Sequence, residues 1–182
     1  LISIDTCRAD RISCYGFDRG TTPNIDAVAR DGVLFTRAYS TNPATLPAHC
    51  SMLTGTTPLE HGVHANEYYR LADSRVTLAE ILQEKGFQTA AFVGAFVLDA
   101  SFGLDQGFHT YDDELSGEAI KRLKYNERPA DQVSARAVDW LDQHGGDPFF
   151  LFLHYFDPHP PYQPPQPFAS QYPEAPYAGE IA

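Results

Sequence analysis

Positive charge is scarce in this chain. Thirteen Lys and Arg stand against 24 Asp and Glu, a formal net charge of −11 at pH 7. With no basic stripe to offset that balance, a nucleic-acid backbone is excluded as the expected substrate or partner. Cysteine is scarce too. Cys7, Cys14 and Cys50 cannot all pair within one chain and outline no disulfide framework, so the redox compartment stays open. No leader-like stretch, membrane-spanning apolar run or internal repeat is visible. What remains is 182 residues with 43% hydrophobic content, enough to bury a real core and to suggest one domain.

Apolar runs and helical patterns alternate along the chain. Leu1-Ile2-Ser3-Ile4 is a short run, half of it β-branched, that ends in a carboxylate at Asp5, as a buried parallel strand does. In open α/β sheets ligands gather at the carboxyl ends of strands, which makes Asp5 a candidate site residue. Thr77-Leu78-Ala79-Glu80 is a capping box, with Val76 and Ile81 spaced as its hydrophobic staple. The helix it opens is expected to bury Leu78, Ile81 and Leu82 and to stop at Gly86. Residues 87–93 read as the next strand. Asn126-Glu127-Arg128-Pro129 breaks the chain before a helix with Val133, Ala137, Trp140 and Leu141 on one face. Residues 148–156 form a continuous apolar run, hence a buried strand, with Asp157 and His159 following its carboxyl end. His154 falls inside that run and reads as a hydrogen-bonded core histidine. Residues 158–176, rich in proline and aromatics, read as a long loop over the site. The alternation predicts an α/β fold, a mainly parallel central sheet flanked by helices.

The stretch of residues 45–55, T-L-P-A-H-C-S-M-L-T-G, is the most informative. Pro47 suits a first helical turn, where its missing N–H costs nothing, and Gly55 is a natural stop. A hydroxyl just ahead of such a helix sits where backbone N–H groups and the helix dipole favour negative charge. Thr45 is therefore a hydroxyl held against an anion site. Cys50, beside His49, reads as a small buried helix residue. Asp142-Gln143-His144-Gly145 reads as a solvated helix end, His64 and His109 as surface loop residues, and Asp112-Asp113-Glu114 as a solvated acidic turn.

Taken in order, these segments resemble the sulfatase branch of the alkaline phosphatase superfamily. The opening I-D-T-C-R-A-D-R-I-S-C-Y-G is similar to that family's first strand and metal-ligand loop. Thr21-Thr22-Pro23-Asn24-Ile25-Asp26 and then Gly32-Val33-Leu34-Phe35-Thr36-Arg37-Ala38-Tyr39 resemble its first helix and second strand. The Thr45 stretch aligns with the nucleophile signature C/S-x-P-x-R-x-S-x-L-T-G. His61-Gly62-Val63 with Asn66, and Phe156-Asp157-Pro158-His159-Pro160-Pro161-Tyr162, are further matches.

The resemblance implies an alkaline-phosphatase-like layered fold and a metal-dependent ester hydrolase. By it, Asp5 and Thr45 ligate a divalent metal (Ca, Mg, Mn or Zn), and Thr45 is the nucleophile. His49 stands where sulfatases carry arginine, to orient Thr45 or exchange a proton with it or the leaving group. Asn66 and His159 bind the non-bridging oxygens of a small-molecule, glycan or lipid ester. The resemblance also implies that residues 1–182 are the N-terminal part of one catalytic domain, cut at both ends. It favours a periplasmic or extracellular protein. Two departures stand out: Asp5 is followed by Thr6 rather than a second aspartate, and the nucleophile position holds threonine. Oxidation of threonine gives a ketone, so no formylglycine is expected. An intact Thr Oγ attacks phosphorus through a phospho-threonine, which tilts the expected substrate toward phosphate mono- or diesters over sulfate esters. A phospho-alcohol transferase and a catalytically silent binding module share the same letters.

Overall fold

The computed structural model describes residues 1–115 and 127–182. Asn126 of the expected chain break lies outside the described residues. Two compact units emerge, one of Leu1–Ser3 with Ser40–Phe156, the other of Ile4–Tyr39 with Asp157–Ala182.

The larger unit is built on a four-stranded sheet of order β1-β4-β2-β3, comprising β1 (Ile2–Ile4), β2 (Gln88–Val93), β3 (Thr110–Asp112) and β4 (Phe149–Tyr155). β2 runs parallel to both β4 and β3, with Ala90 opposite Leu151 on one side and Thr110 on the other. The chain's first residue joins the sheet: the Leu1 amino group donates to Leu151 O, and Leu153 N donates to Leu1 O. Strand periodicity then sorts β2 between two cores. Ala91 and Val93 pack with Phe152 and with Leu46, Cys50 and Leu53 of α2 (Thr45–Thr54), whereas Ala90 and Phe92 pack with Leu153 and with Val133, Ala137 and Trp140 of the fifth helix (Ala130–His144). This is the layered α/β arrangement the alternation predicts, and the helix face through Val133 is the one expected.

Three other helices complete this unit's helical set and the other unit's start: α1 (Pro23–Asp31), α3 (Pro58–His61) and α4 (Leu78–Glu84), so that the Ala130–His144 helix is α5. The capping box of α4 forms as expected, Thr77 Oγ1 accepting from Glu80 N while the Glu80 carboxylate accepts from Thr77 N. Its buried face is a correction. Ala79 is buried and Leu82 packs against the core, while Leu78 and Ile81 are exposed. Gly107 explains the rotation: its backbone has φ +81°, and a Cβ there would collide with Glu80 N and the Ala79 carbonyl carbon. So close an approach of two backbones selects the small Ala79 for the inner face.

Asp112-Asp113-Glu114 is a second correction. Asp112 ends β3 and is paired with Arg128, whose Nη2 lies 2.5 Å from Oδ1; the two side chains are 12% and 2% exposed. Arg128 also donates from Nε and Nη2 to Glu114 O, and Asp113 Oδ2 accepts from Ala100 N. A guanidinium this deeply buried requires a carboxylate beside it, so Asp112 is an ion-pair partner rather than part of a solvated turn, whereas Glu114, 79% exposed, is solvated as expected.

In the smaller unit α1 starts on Pro23, as the sequence suggests. The second strand expected at residues 32–39 does not form. Val33, Phe35 and Tyr39 are 78%, 70% and 86% exposed, and no described strand pairs with the segment. β-branched and aromatic letters alone do not make a strand without a ladder partner. The proline-rich stretch 158–176 carries α6 (Phe168–Gln171) and leads into α7 (Pro176–Ile181). Tyr177 Oη ties α7 to the segment after β1, donating to Thr6 O and accepting from Arg8 N.

All three thiols are free. Cys50 is fully buried on α2, as its reading as a small helix residue requires, and burial pushes its thiol up to about 12. Native protein at pH 8 should therefore leave Cys50 unmodified by iodoacetamide, with labelling only after denaturation. Peptide mass mapping checks this, and rapid native alkylation of Cys50 would refute it.

Candidate active site

Within the larger unit the site is built around the start of α2. Ala44 is the extended residue before the helix, Thr45 the first helical residue, and Gly55 the left-handed stop at φ 67°. Thr45 thus lies one position further into the helix than expected. Of the first-turn donors, Pro47 has none to satisfy, and Leu46 N donates to Asn66 Oδ1 at 2.9 Å. That bond orients the Asn66 amide. An oxygen committed to a helix N–H leaves the two Nδ2 hydrogens as the group's outward donors. Thr45 and Asn66, far apart in the chain and both expected at the site, are therefore brought together at one helix end.

His49 is buried at 4% exposure. Its Nδ1 lies 2.7 Å from Thr45 O and its Nε2 2.9 Å from Ser3 Oγ. A carbonyl only accepts, so Nδ1 carries the proton, and a neutral ring accepts at Nε2 from the Ser3 hydroxyl. The imidazole thereby fastens the first turn of α2 to β1. In the sequence Ser3 reads only as a strand residue; a hydroxyl inside an apolar run is the one available sign of this role.

Deeper in, the ring of fully buried His154 meets His49 edge-on with centroids 4.9 Å apart. Burial holds the His154 imidazole well below its ordinary range, with His49 adding to the effect. The unfolded chain then takes up a proton that the folded chain refuses. Stability should fall as pH drops below about 6.5, at up to about 1.4 kcal/mol per pH unit from this group. Urea midpoints between pH 7 and pH 5 should fall less in His154→Phe than in the parent. Equal acid slopes in both would remove His154 as the source.

His61 closes α3 and is also buried. Its Nδ1 accepts from Val63 N at 3.1 Å and its Nε2 meets Ser51 Oγ at 3.0 Å. His64 and His109 are exposed, as expected, although the His109 ring also engages Thr89. His144, at the end of α5, stacks on Trp140.

The remaining candidates, Asp5 and His159, belong to the smaller unit. Asp5 follows β1 directly, and its Oδ1 accepts from Thr6 N at 2.8 Å. Thr6 has φ 51°, and its hydroxyl donates to Pro158 O. His159 Nδ1 lies 3.0 Å from Pro160 O, so that nitrogen is the donor; the ring offers a second N–H, at Nε2, only as imidazolium. Among the described residues no group of three or more His, Cys, Asp or Glu could hold a metal ion. The described donor set does not by itself build a metal site.

No helix among the described residues is long and apolar enough to cross a membrane. The chain is 28% identical over 162 residues to an N-acetylglucosamine-6-O-sulfatase of Bacteroides thetaiotaomicron, a match covering 84% of this chain and 29% of that protein. It superposes with a TM-score of 0.75 on the phosphonate monoester hydrolase of Agrobacterium radiobacter, at 23% identity, covering 93% of this chain and 42% of the other. A protein solved in complex with its substrate D-glucosamine-2-N,6-O-disulfate superposes with a TM-score of 0.78 at 24% identity, covering 96% of this chain and 37% of the other. These likenesses carry the alkaline-phosphatase-like fold, and the chain spans less than half the length of each of these proteins. With the sulfatase family model matching residues 1–181, the chain belongs to the sulfatase family.

Proposed function

We propose that the protein is an ester hydrolase that cleaves a phosphate or sulfate ester with Thr45 Oγ as the nucleophile. The observation that carries this reading is the placement of Thr45 as the first residue of α2, with Asn66 capping the same turn through Leu46 N. A helix start favours the negative charge of an ester anion, and the Asn66 Nδ2 hydrogens are donors suited to its non-bridging oxygens. The chemistry balances simply. Thr45 Oγ forms a bond to phosphorus or sulfur, the ester oxygen departs with a proton as the alcohol, and water then cleaves the Thr45 ester. Because threonine yields no formylglycine, a phosphate ester is the favoured substrate.

His49 serves as the anchor of the nucleophile's turn, since its ring engages Thr45 O and Ser3 Oγ. His159 is assigned to the substrate's oxygens. Family members are generally metal-dependent, and Asp5 and Thr45 are the proposed donors from this chain. Turnover that survives exhaustive chelation would remove that assignment. The test of the whole reading is turnover of aryl phosphate monoester, phosphodiester and sulfate ester by the purified protein. Phosphoester turnover is the expected result, and inertness toward all three would overturn it. Accumulation of phosphate on Thr45 without water-dependent release would redirect the reading to a transferase.

A further inference from the structure

We propose that His61 is a positioning residue of this site, which through Ser51 fastens the segment carrying Asn66 alongside α2. The inference rests on the hydrolase reading for its consequence, though not for its geometry. Val63 N donates to His61 Nδ1, so in the neutral ring the proton sits on Nε2 and is donated to Ser51 Oγ at 3.0 Å. Burial, with the charges of His64 and Arg75, lowers the tendency of the ring to take a second proton. Ser51 Oγ also accepts from Thr41 Oγ1 at 2.8 Å. Val63, between the imidazole and Asn66, is fully buried.

Among the described hydrogen bonds, the segment from His61 to Asn66 meets α2 at Ser51, in the helix interior, and at Leu46 N, in its first turn, while the His61 ring also engages the Pro47 backbone. The attachments at Ser51 and Leu46 are about 7.5 Å apart along the helix axis. The backbone beyond Asn66 turns through Glu67 at φ 69°, with Tyr68 N donating to Asn66 O. A left-handed non-glycine residue persists where its surroundings hold it in place. Releasing the Ser51 attachment lets the segment shift along α2, and Asn66, at its far end, loses its fixed reach to both the helix and the ester.

Ser51→Ala removes the acceptor with little change of volume, His61→Phe removes the donor while keeping a ring, and His61→Gln returns an N–H of similar reach. Ser51→Ala and His61→Phe are each expected to lower kcat/KM by about 10- to 100-fold, with His61→Gln recovering most of the loss. In an Asn66→Ala background Ser51→Ala should cost nothing further. The same fold loss with and without Asn66 would overturn the proposal, because a merely structural contact acts independently of Asn66. If His61→Phe fails to fold, Ser51→Ala carries the test alone. Should the protein turn over no ester, the function fails, while the positioning is still read by NMR. Ser51→Ala is expected to shift the Asn66 side-chain amide resonances, and unchanged resonances would sink the proposal whatever the activity.

Discussion

Thr45→Ala is expected to lower kcat on a phosphoester by about 10³-fold or more, equivalent to about 4 kcal/mol of barrier. The hydroxyl is the attacking atom in the proposed reaction. Cys50, the nearest thiol in sequence, is buried with its thiol pushed up to about 12. Folding should be little affected. Alanine is a better helix former than threonine, and the Leu46 N–H of the first turn is capped by Asn66, not by Thr45. Thr45→Ser should retain turnover because it keeps Oγ. The measurement is kcat for both variants beside their urea midpoints. A Thr45→Ala protein as active as its parent would end the nucleophile assignment, and an unfolded one would be replaced by Thr45→Val, which keeps the shape and removes only the hydroxyl.

Asp112→Ala is expected to destabilise the fold by about 3–5 kcal/mol, the scale for stripping one partner from a buried ion pair. Arg128 is 2% exposed, and its bonds to the neutral Glu114 carbonyl cannot replace the lost carboxylate. Arg136, 3.6 Å from the other Asp112 oxygen and half exposed, cannot compensate, since it is of the wrong sign. Such a loss is a large part of the total of about 5–15 kcal/mol typical of a folded domain. The double variant Asp112→Leu with Arg128→Met should recover most of it, because the cost lies in the stranded guanidinium and not in the missing contact. Urea unfolding of the three proteins decides the matter. A double variant no more stable than Asp112→Ala would mean the pair matters through some other interaction.

Much of the sheet is legible in the letters because its central strands are largely buried. Residues 148–156 announce β4 through an unbroken apolar run, and residues 87–93 announce β2 nearly to the residue. The capping box at Thr77 is legible because its letters are the interaction itself. What the letters miss are properties that belong to neighbours. Residues 32–39 have strand-like letters and no described ladder partner. The inner face of α4 depends on Gly107, well along the chain from Ala79, and no local pattern in α4 records that approach. Asp112 gives no sign of its low exposure because Arg128 reaches it from beyond its own neighbourhood. At the site, the motif order points to Thr45, His49 and Asn66. The side-chain partners that hold them, Ser3, Ser51 and His61, are ordinary letters whose meaning appears only through hydrogen bonds.

The bond from Leu46 N to Asn66 Oδ1 also limits how the protein can change. One amide group seats the first turn of α2 with its oxygen, and in the proposed reaction its nitrogen serves the ester. On that proposal recognition and reactivity share a residue, and selection for a new leaving group or ester centre cannot rewrite position 66 without disturbing attack itself. Adaptation to other esters has to be sought at positions free of that double duty, and a mutational scan should find position 66 far less permissive than its exposed neighbours Glu67 and Tyr68.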